Sequence, residues 1–186
     1  MKIYVNLLLA WQARINLIGP STVETVWTRH VLDAVQLQPL LPPNTARIAD
    51  LGTGAGIPGL ILSITAGVEA HLYEANSKKV AFLREAIRKT GAKAQVHQIR
   101  LEEIGAQGVP PAVDCVVSRA LAPLPLLLDY ASPFLAGPVT CLFHKGRDVD
   151  LELTEATKYW RFQYTKHQSA CDSHGVILEV KEVSRV

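Results

Sequence analysis

Cysteines and long apolar runs are scarce in this 186-residue chain, and each scarcity argues against a class of protein. Three cysteines with no Cys-x-x-Cys pair argue against a disulfide-stapled secreted protein and favour a reducing, cytoplasmic compartment. No uninterrupted apolar stretch reaches the ~18 residues that a membrane-spanning helix needs. His167, Cys171 and His174 match no common zinc spacing, so no metal is expected. The net charge of +2 neither requires nor excludes a nucleic-acid partner.

The first 43 residues have the pattern of helices. Ile3, Leu7 and Trp11 recur at helical spacing, which indicates an amphipathic helix. A signal peptide is disfavoured because Asn6 interrupts the apolar run and Trp11 stands where cleavage needs a small residue. The helical pattern ends at the two prolines 42 and 43. We therefore expect a helical extension over residues 1–43.

From residue 44 to 186, short apolar runs alternate with helical stretches, which predicts an α/β domain. The predicted strands are Ala46–Leu51, Val68–Glu74, Ala94–Ile99, Asp114–Ser118, Val139–Phe143, Phe162–Lys166 and Val176–Val183. The clearest predicted helix has Ser77 as its N-cap and Gly91 as its stop. We expect a Rossmann-like sheet of about seven strands, mostly parallel with an antiparallel end, and helices on both faces.

A glycine-rich segment, Asp50–Gly59, follows the first predicted strand and leads into a helix. Gly52, Gly54 and Gly56 let the backbone turn sharply and approach a ligand where a Cβ would collide. Open α/β folds bind their ligands at the carboxyl edge of the sheet, beside such a loop. The segment therefore predicts a nucleotide-type cofactor.

Two cofactor classes fit this segment. Gly54, Gly56 and Gly59 satisfy the dinucleotide pattern Gly-x-Gly-x-x-Gly, and Glu74 lies where either class would have an acid for a ribose hydroxyl. The first glycine after the strand, however, is Gly52, which gives the pattern Asp-x-Gly-x-Gly-x-Gly. In that pattern no helix N-terminus is dedicated to a pyrophosphate. The chain is also short for a dehydrogenase with a separate substrate domain. The local sequence favours S-adenosylmethionine and a methyltransferase, with an NAD-dependent oxidoreductase as the alternative and a structural glycine turn as a third reading.

An ordered set of motifs over nearly the whole chain resembles the bacterial 16S rRNA guanine-N7 methyltransferases of the glucose-inhibited division protein B type. These motifs are Trp11 with Asn16-Leu17, Arg29-His30 with Asp33, Asp50–Gly59, Lys79–Leu83, Arg100–Glu103, Ser118–Ala120 and Lys145-Gly146. The chain departs from the family pattern at Gln12, where Asn is usual, and at Ala34, where Ser is usual. Members often carry a longer N-terminal helix.

The resemblance implies a class I methyltransferase of the cytoplasm that methylates guanine N7 in 16S rRNA, with the rRNA or the small ribosomal subunit as its partner. Guanine N7 is a bare lone pair, so the reaction needs alignment more than a base. The chain fits this in lacking an Asn/Asp-Pro-Pro-aromatic motif for amino groups and a Pro-Cys nucleophile for cytosine. A non-catalytic RNA-binding module is a further alternative.

The resemblance also implies the site. The implied cofactor-binding residues are Gly52, Gly54, Gly56, Ile57, Glu74, Leu101, Glu102 and Arg119. Among these, Glu74 is expected to bind the ribose, Leu101 and Glu102 to flank the adenine, and Arg119 to lie near the methyl donor or the target base as the candidate catalytic residue. Ile57 and Leu101 also fit as plain core residues.

Residues for RNA contact are predicted outside the cofactor loop. The candidates are Asn16, Arg29, His30 and Lys145, with the basic face of the Ser77 helix. His30 and Asp33 stand on one helix face. They fit either a bridge from the helical extension to the pocket or charge pairing that pins the extension to the sheet.

Overall fold

A seven-stranded sheet forms the centre of the computed structural model, which describes residues 1–106, 108 and 110–186. The strands are β1 (Arg47–Leu51), β2 (Glu69–Tyr73), β3 (Ala94–His97), β4 (Cys115–Arg119), β5 (Thr140–Lys145), β6 (Trp160–Gln168) and β7 (Val176–Arg185). Their order in the sheet is β3-β2-β1-β4-β5-β7-β6. Strands β1 to β5 are parallel, and β7 is antiparallel to both β5 and β6. The predicted seven-stranded, mostly parallel sheet with an antiparallel end is confirmed.

Helices cover both faces of the sheet. They are α1 (Lys2–Gln12), α2 (Asp33–Val35), α3 (Gly59–Ala66), α4 (Ser77–Thr90), α5 (Leu124–Ala131) and α6 (Val149–Ala156). A π-helical segment, Trp27–Leu32, leads directly into α2. Short 3₁₀ turns cover Pro20–Thr22, Gln38–Leu40, Leu101–Glu103 and Ser132–Phe134.

Alternation along the strands divides the buried side chains between two cores, because successive residues of a strand point to opposite faces. Ile48 and Val117 face the first core, which α1, α3 and α4 cover. Ala49 and Val116 face the second core, which α5 and α6 cover. Each side of the sheet therefore buries its own apolar layer.

The predicted helical extension and the predicted α/β domain share the first core. Tyr4 of α1 packs against Phe82 of α4 with ring centroids 6.2 Å apart, and Trp11 meets the same ring at 5.8 Å. The Trp11 indole also donates to Glu85 at 3.0 Å. Residues on both sides of the predicted boundary at residue 43 thus bury one apolar layer together.

Two local expectations are corrected by the structure. Asn76, not Ser77, caps α4: its side-chain oxygen accepts from the backbone N–H groups of Lys78 and Lys79 at 3.0 and 3.2 Å. Both residue types are good N-caps, so the pattern placed the helix start one residue late. The helical pattern over residues 1–41 is also broken after α1, where the Gln12 side chain accepts from two backbone N–H groups, at Leu17 and Ile18. The Gln12 amide therefore holds a turn.

No helix within residues 1–106, 108 and 110–186 combines the length and the apolar character required to cross a membrane.

Candidate active site

The glycine-rich loop joins β1 to α3 at the carboxyl edge of the sheet. Gly52, Gly54 and Gly56 have φ angles of 65°, 59° and 86°, a region that only glycine enters readily. A Cβ at Gly54 would meet nothing closer than a backbone oxygen at 3.9 Å, so this glycine faces open space. The loop therefore offers an uncovered backbone surface at Gly54.

The three glycines differ in what an added Cβ would meet. A Cβ at Gly52 would lie 2.6 Å from Leu121, and one at Gly56 would lie 2.7 Å from Leu60. These collisions are with the protein itself. Gly52 and Gly56 allow the loop to pack against Leu121 and Leu60, whereas Gly54 leaves the backbone of the loop uncovered.

Asp50 holds the loop from beneath. Its Oδ2 accepts from the Gly59 backbone N–H at 2.8 Å and from the Thr53 hydroxyl at 2.5 Å. The carboxyl group is fully buried, and this burial raises the pKa of Asp50 to about 7. A Cβ at Gly59 would lie 2.6 Å from the Asp50 side chain, which explains the glycine there. The loop is thus fixed to the strand that precedes it.

Glu74, directly after β2, ties the loop to the neighbouring strand. Its Oε2 accepts from the Gly54 backbone N–H at 3.0 Å, and its Oε1 accepts from the Asn76 backbone N–H at 2.8 Å. The side chain is partly exposed. Because a carboxylate oxygen has two lone pairs, each Glu74 oxygen retains capacity for another donor. Gly54 and Glu74, predicted from their spacing alone, are brought together.

The other predicted cofactor residues lie at the same edge with different exposure. Ile57 is 5% exposed and belongs to the first core. Leu101 is partly buried against the second core, and Glu102 is exposed. The Tyr130 hydroxyl donates to Glu102 at 2.7 Å and lowers the pKa of that carboxyl. Strand β3 lies beside β2 in the sheet. The turn that begins at Leu101 comes after β3 in the chain, so it belongs to the same carboxyl edge as Glu74, which follows β2.

Arg119, the last residue of β4, reaches to the helical segment of the N-terminal region. Its Nη1 donates to the Arg29 carbonyl oxygen at 2.9 Å and to Asp33 Oδ2 at 3.0 Å. Its Nη2 lies 2.8 Å from His30 Nδ1. The Arg119 and Asp33 side chains are only 19% and 15% exposed. The predicted pairing of this helix with the sheet is therefore present, and it is centred on Arg119.

A cleft of about 330 Å³ opens beside these groups. It is lined by residues of the N-terminal helical segment, of the β4 and β5 ends, and of the β6–β7 connection, among them Thr22, His30, Asp33, Arg119, His144 and Asp172. His144 donates through Nε2 to the Asp33 carbonyl oxygen at 2.9 Å. Charged and polar groups from three parts of the chain thus meet at the end of β4.

The predicted RNA-contacting residues do not form one group. Arg29 is exposed and pairs with Asp172 at 3.2 Å. Asn16 is exposed in a separate cleft of about 390 Å³, which Lys78 and Lys79 also line. His30 is buried at 6% exposure.

Lys145, predicted to contact RNA, lies in a buried environment. The side chain is 6% exposed, and its Nζ donates to Glu152 at 2.6 Å and to the Ala122 carbonyl oxygen at 2.8 Å. Glu152 accepts in addition from the Leu124 backbone N–H at 2.7 Å. The Lys145 ammonium therefore ties the loop after β4 to α6.

Sequence reasoning missed three residues of this region. The Tyr4 hydroxyl donates to the Ala55 carbonyl oxygen of the glycine loop at 2.8 Å, and Thr22 and His144 contact the groups around Arg119. An apolar helix position, a loop threonine and a strand histidine carry no local signal for such contacts. Their partners lie far along the chain, and only the tertiary fold reveals them.

Solved structures with this fold include proteins with bound S-adenosylmethionine. The fold matches that of M. jannaschii TYW2 in complex with AdoMet at TM-score 0.64 and 13% identity, over 94% of this chain and 80% of that one. It matches the glycopeptide N-methyltransferase MtfA complexed with S-adenosyl-L-methionine at TM-score 0.66 and 12% identity, over 81% and 93%. The sheet order and these structural matches define the class I, Rossmann-like methyltransferase fold.

Sequence comparison identifies the family within that class. A protein of Paramagnetospirillum magneticum named ribosomal RNA small subunit methyltransferase G is 45% identical over 185 residues, which cover 100% of this chain and 88% of that relative. A protein of the same name from Rhodopseudomonas palustris is 46% identical over 98% of this chain and 82% of its own length. The GidB family model, described as rRNA small subunit methyltransferase G, matches residues 1–180. The chain belongs to this family.

Proposed function

We propose that the protein transfers the methyl group of S-adenosylmethionine to N7 of a guanine in 16S rRNA of the small ribosomal subunit, in the cytoplasm. One observation carries the proposal: in a chain of this family, the Glu74 carboxylate lies bonded to the backbone of Gly54, beside open space at the sheet's carboxyl edge. The family supplies the substrate class, and this geometry supplies the cofactor site.

The residues at this edge fit the cofactor. Glu74 retains lone pairs that accept hydrogen bonds from two ribose hydroxyls, and Gly54 leaves room for a ligand where a Cβ would stand. Leu101 and Glu102 flank the adenine, while Ile57 supports the loop from the core. Gly52 and Gly56 keep the loop in its turn. The cofactor supplies an electrophilic methyl group on a sulfonium, and these residues hold and orient it.

Methyl transfer to guanine N7 requires the protein side chains mainly to align the nucleophile with the methyl donor. Guanine N7 carries a lone pair and no proton, so no general base is required. His30 agrees with that requirement, because burial and the Arg119 charge lower its pKa to about 4 and its ring nitrogens are already occupied. Arg119 is the residue we assign to orientation of the guanine or of the methyl donor. It lies at the end of β4 and lines the cleft.

For the RNA we propose phosphate contacts at exposed cations near the site. Arg29 lines the cleft beside Arg119, and Lys78 and Lys79 line the neighbouring cleft with Asn16. Because the net charge is only +2, binding depends on such local groups. Within the described residues, no three His, Cys, Asp or Glu side chains are grouped to hold a metal ion.

The test is methyl transfer followed by nucleoside analysis. The protein is incubated with labelled S-adenosylmethionine and either naked 16S rRNA or assembled small subunits, and 7-methylguanosine is the expected labelled product. Glu74→Gln should need much more cofactor, whereas Glu155→Gln, an exposed change on α6, serves as the matched control. Label in a different nucleoside would overturn the N7 assignment.

Thermal shift separates the alternative functions. S-adenosylmethionine and its demethylated product should raise the melting temperature, and NAD should not. A shift with NAD alone would favour an oxidoreductase. Tight RNA binding with no shift from either cofactor would favour a non-catalytic RNA-binding module.

A further inference from the structure

We propose that His30 is a positioning residue for Arg119: a neutral imidazole, held in one tautomer by Thr22, uses its Nδ1 lone pair to fix the guanidinium at the sheet edge. The inference rests on the proposed function, since it assumes that Arg119 faces the reacting groups. It assigns a role to the buried histidine of the N-terminal segment that differs from RNA contact and from acid–base catalysis.

The direction of each hydrogen bond determines the tautomer. A guanidinium carries only donors, so the contact of 2.8 Å between Arg119 Nη2 and His30 Nδ1 requires an unprotonated Nδ1. The ring proton therefore resides on Nε2, which lies 2.7 Å from the Thr22 hydroxyl. That hydroxyl donates its own proton to the Gly19 carbonyl oxygen at 2.7 Å, so it accepts from His30. Every donor in the chain from Arg119 to Gly19 meets an acceptor.

Three acceptors on one helical segment hold the guanidinium. They are the Arg29 carbonyl oxygen, Asp33 Oδ2 and His30 Nδ1, at 2.9, 3.0 and 2.8 Å. These contacts use three of the five N–H groups of Arg119. Within the described residues the other two have no partner, so they remain available to a bound molecule. The arrangement fixes the plane of the guanidinium while leaving donors for a bound molecule. A residue that must orient a reacting group needs both properties.

A neutral acceptor suits this position better than a second carboxylate. Asp33 already offsets part of the Arg119 charge, and another anion would neutralise the positive charge that faces the cleft. Burial lowers the pKa of His30 to about 4, and the Arg119 and Arg29 charges act in the same direction against the opposing effect of Asp33. The imidazole is therefore an acceptor at neutral pH. Protonation would place a donor against a donor.

The test compares variants that remove or keep the acceptor. His30→Phe removes the Nδ1 lone pair and should lower turnover at saturating cofactor and RNA by about 10- to 100-fold, since a displacement of about 1 Å in a reacting group has effects of that size. The cofactor KM should change far less, because Glu74 and the glycine loop are untouched. His30→Asn places an amide oxygen near the Nδ1 position and should restore most of the turnover.

Thr22→Val tests the fixing of the tautomer. It leaves the imidazole in place but removes the acceptor of its Nε2 proton, so turnover should fall while the cofactor KM stays near that of the parent. Thr28→Val is the matched control: this exposed threonine of the same segment donates only to the Thr25 carbonyl oxygen, at 3.1 Å. Equal effects of Thr22→Val and Thr28→Val would overturn the role of the hydroxyl.

A spectroscopic measurement keeps the inference testable even if a variant fails to fold. In the ¹⁵N-histidine NMR spectrum of the unmodified protein, His30 should show a protonated Nε2 and a bare Nδ1 at neutral pH. The opposite tautomer would overturn the proposal. Arg119→Ala separates a failure of the role proposed for Arg119 from a failure of the role proposed for His30. If it has normal turnover, the proposed function of Arg119 fails; if it is impaired and His30→Phe is normal, only the present inference fails.

Discussion

Replacing Lys145 by methionine tests whether this residue holds the fold or contacts RNA. The methionine keeps most of the apolar stem and removes the ammonium that lies 2.6 Å from Glu152 and 2.8 Å from the Ala122 carbonyl oxygen. Both acceptors then lose a charged donor in a place where the lysine side chain was only 6% exposed. The loop after β4 loses its tie to β5.

The expected size of the effect follows from this burial. Removing one partner of a buried ion pair costs about 3–5 kcal/mol, and the lower end applies because Glu152 is 22% exposed and partly solvated. For a chain of this length, about 3 kcal/mol corresponds to a fall of about 6–12 °C in Tm. Lys158→Met, which breaks the exposed pair with Glu155, should leave Tm nearly unchanged.

The assay pairs thermal unfolding with RNA binding at several salt concentrations. We expect Lys145→Met to lower Tm and, at a temperature where it is folded, to bind RNA with the parent's salt dependence. A variant with the parent's Tm but a salt slope reduced by about 1 would refute the reasoning, since that is the signature of a lost phosphate contact.

Further predictions concern the cofactor loop and the RNA. Glu74→Gln should raise the KM for S-adenosylmethionine by about 10- to 100-fold, from loss of charge-assisted hydrogen bonds, with turnover close to the parent's in steady-state assays. Tyr4→Phe removes the 2.8 Å bond to Ala55 and should lower the free energy of unfolding by about 1 kcal/mol in urea titrations. Burial raises the Asp50 pKa from 3.8 to about 7, so the folded state keeps a proton that the unfolded state releases, and this contribution to stability is lost as pH rises from about 4 to 7. Asp50→Asn should therefore gain in Tm relative to the parent across that window, and a constant difference would contradict the assignment. A plot of the logarithm of RNA affinity against the logarithm of salt concentration should have a slope of about −2 to −3 if three phosphates are neutralised. Cofactor affinity should stay nearly constant over the same range.

The local patterns were sufficient to predict the sheet and to bring Gly54 and Glu74 to one edge of it. Alternating apolar residues place the strands because period-2 burial is a property of a few consecutive residues, and Gly54 and Glu74 meet because parallel strands end at one edge. The pattern alone did not decide between the two cofactor classes, since both place an acid after the second strand. The family motifs made that distinction.

The remainder of the site depends on contacts between distant residues. Arg119 meets His30 across 89 positions and Tyr4 meets Ala55 across 51, so no local window contains either pair. The burial of Lys145 is not predicted because lysine is usually exposed, and it becomes visible only with Glu152 beside it. Gly52 and Gly56 are glycines because of Leu121 and Leu60, which approach them only in the folded chain.

The apolar layer shared by α1, α4 and the glycine loop has a consequence for genetics. Tyr4 is fully buried in that layer and bonds to the glycine loop, so a substitution that disturbs the first helix also disturbs that loop. A random-mutagenesis screen for lost methylation should therefore recover substitutions at buried α1 positions such as Leu8 alongside those in the loop. In such a map, the first helix will look like part of the active site although none of its side chains needs to touch a substrate.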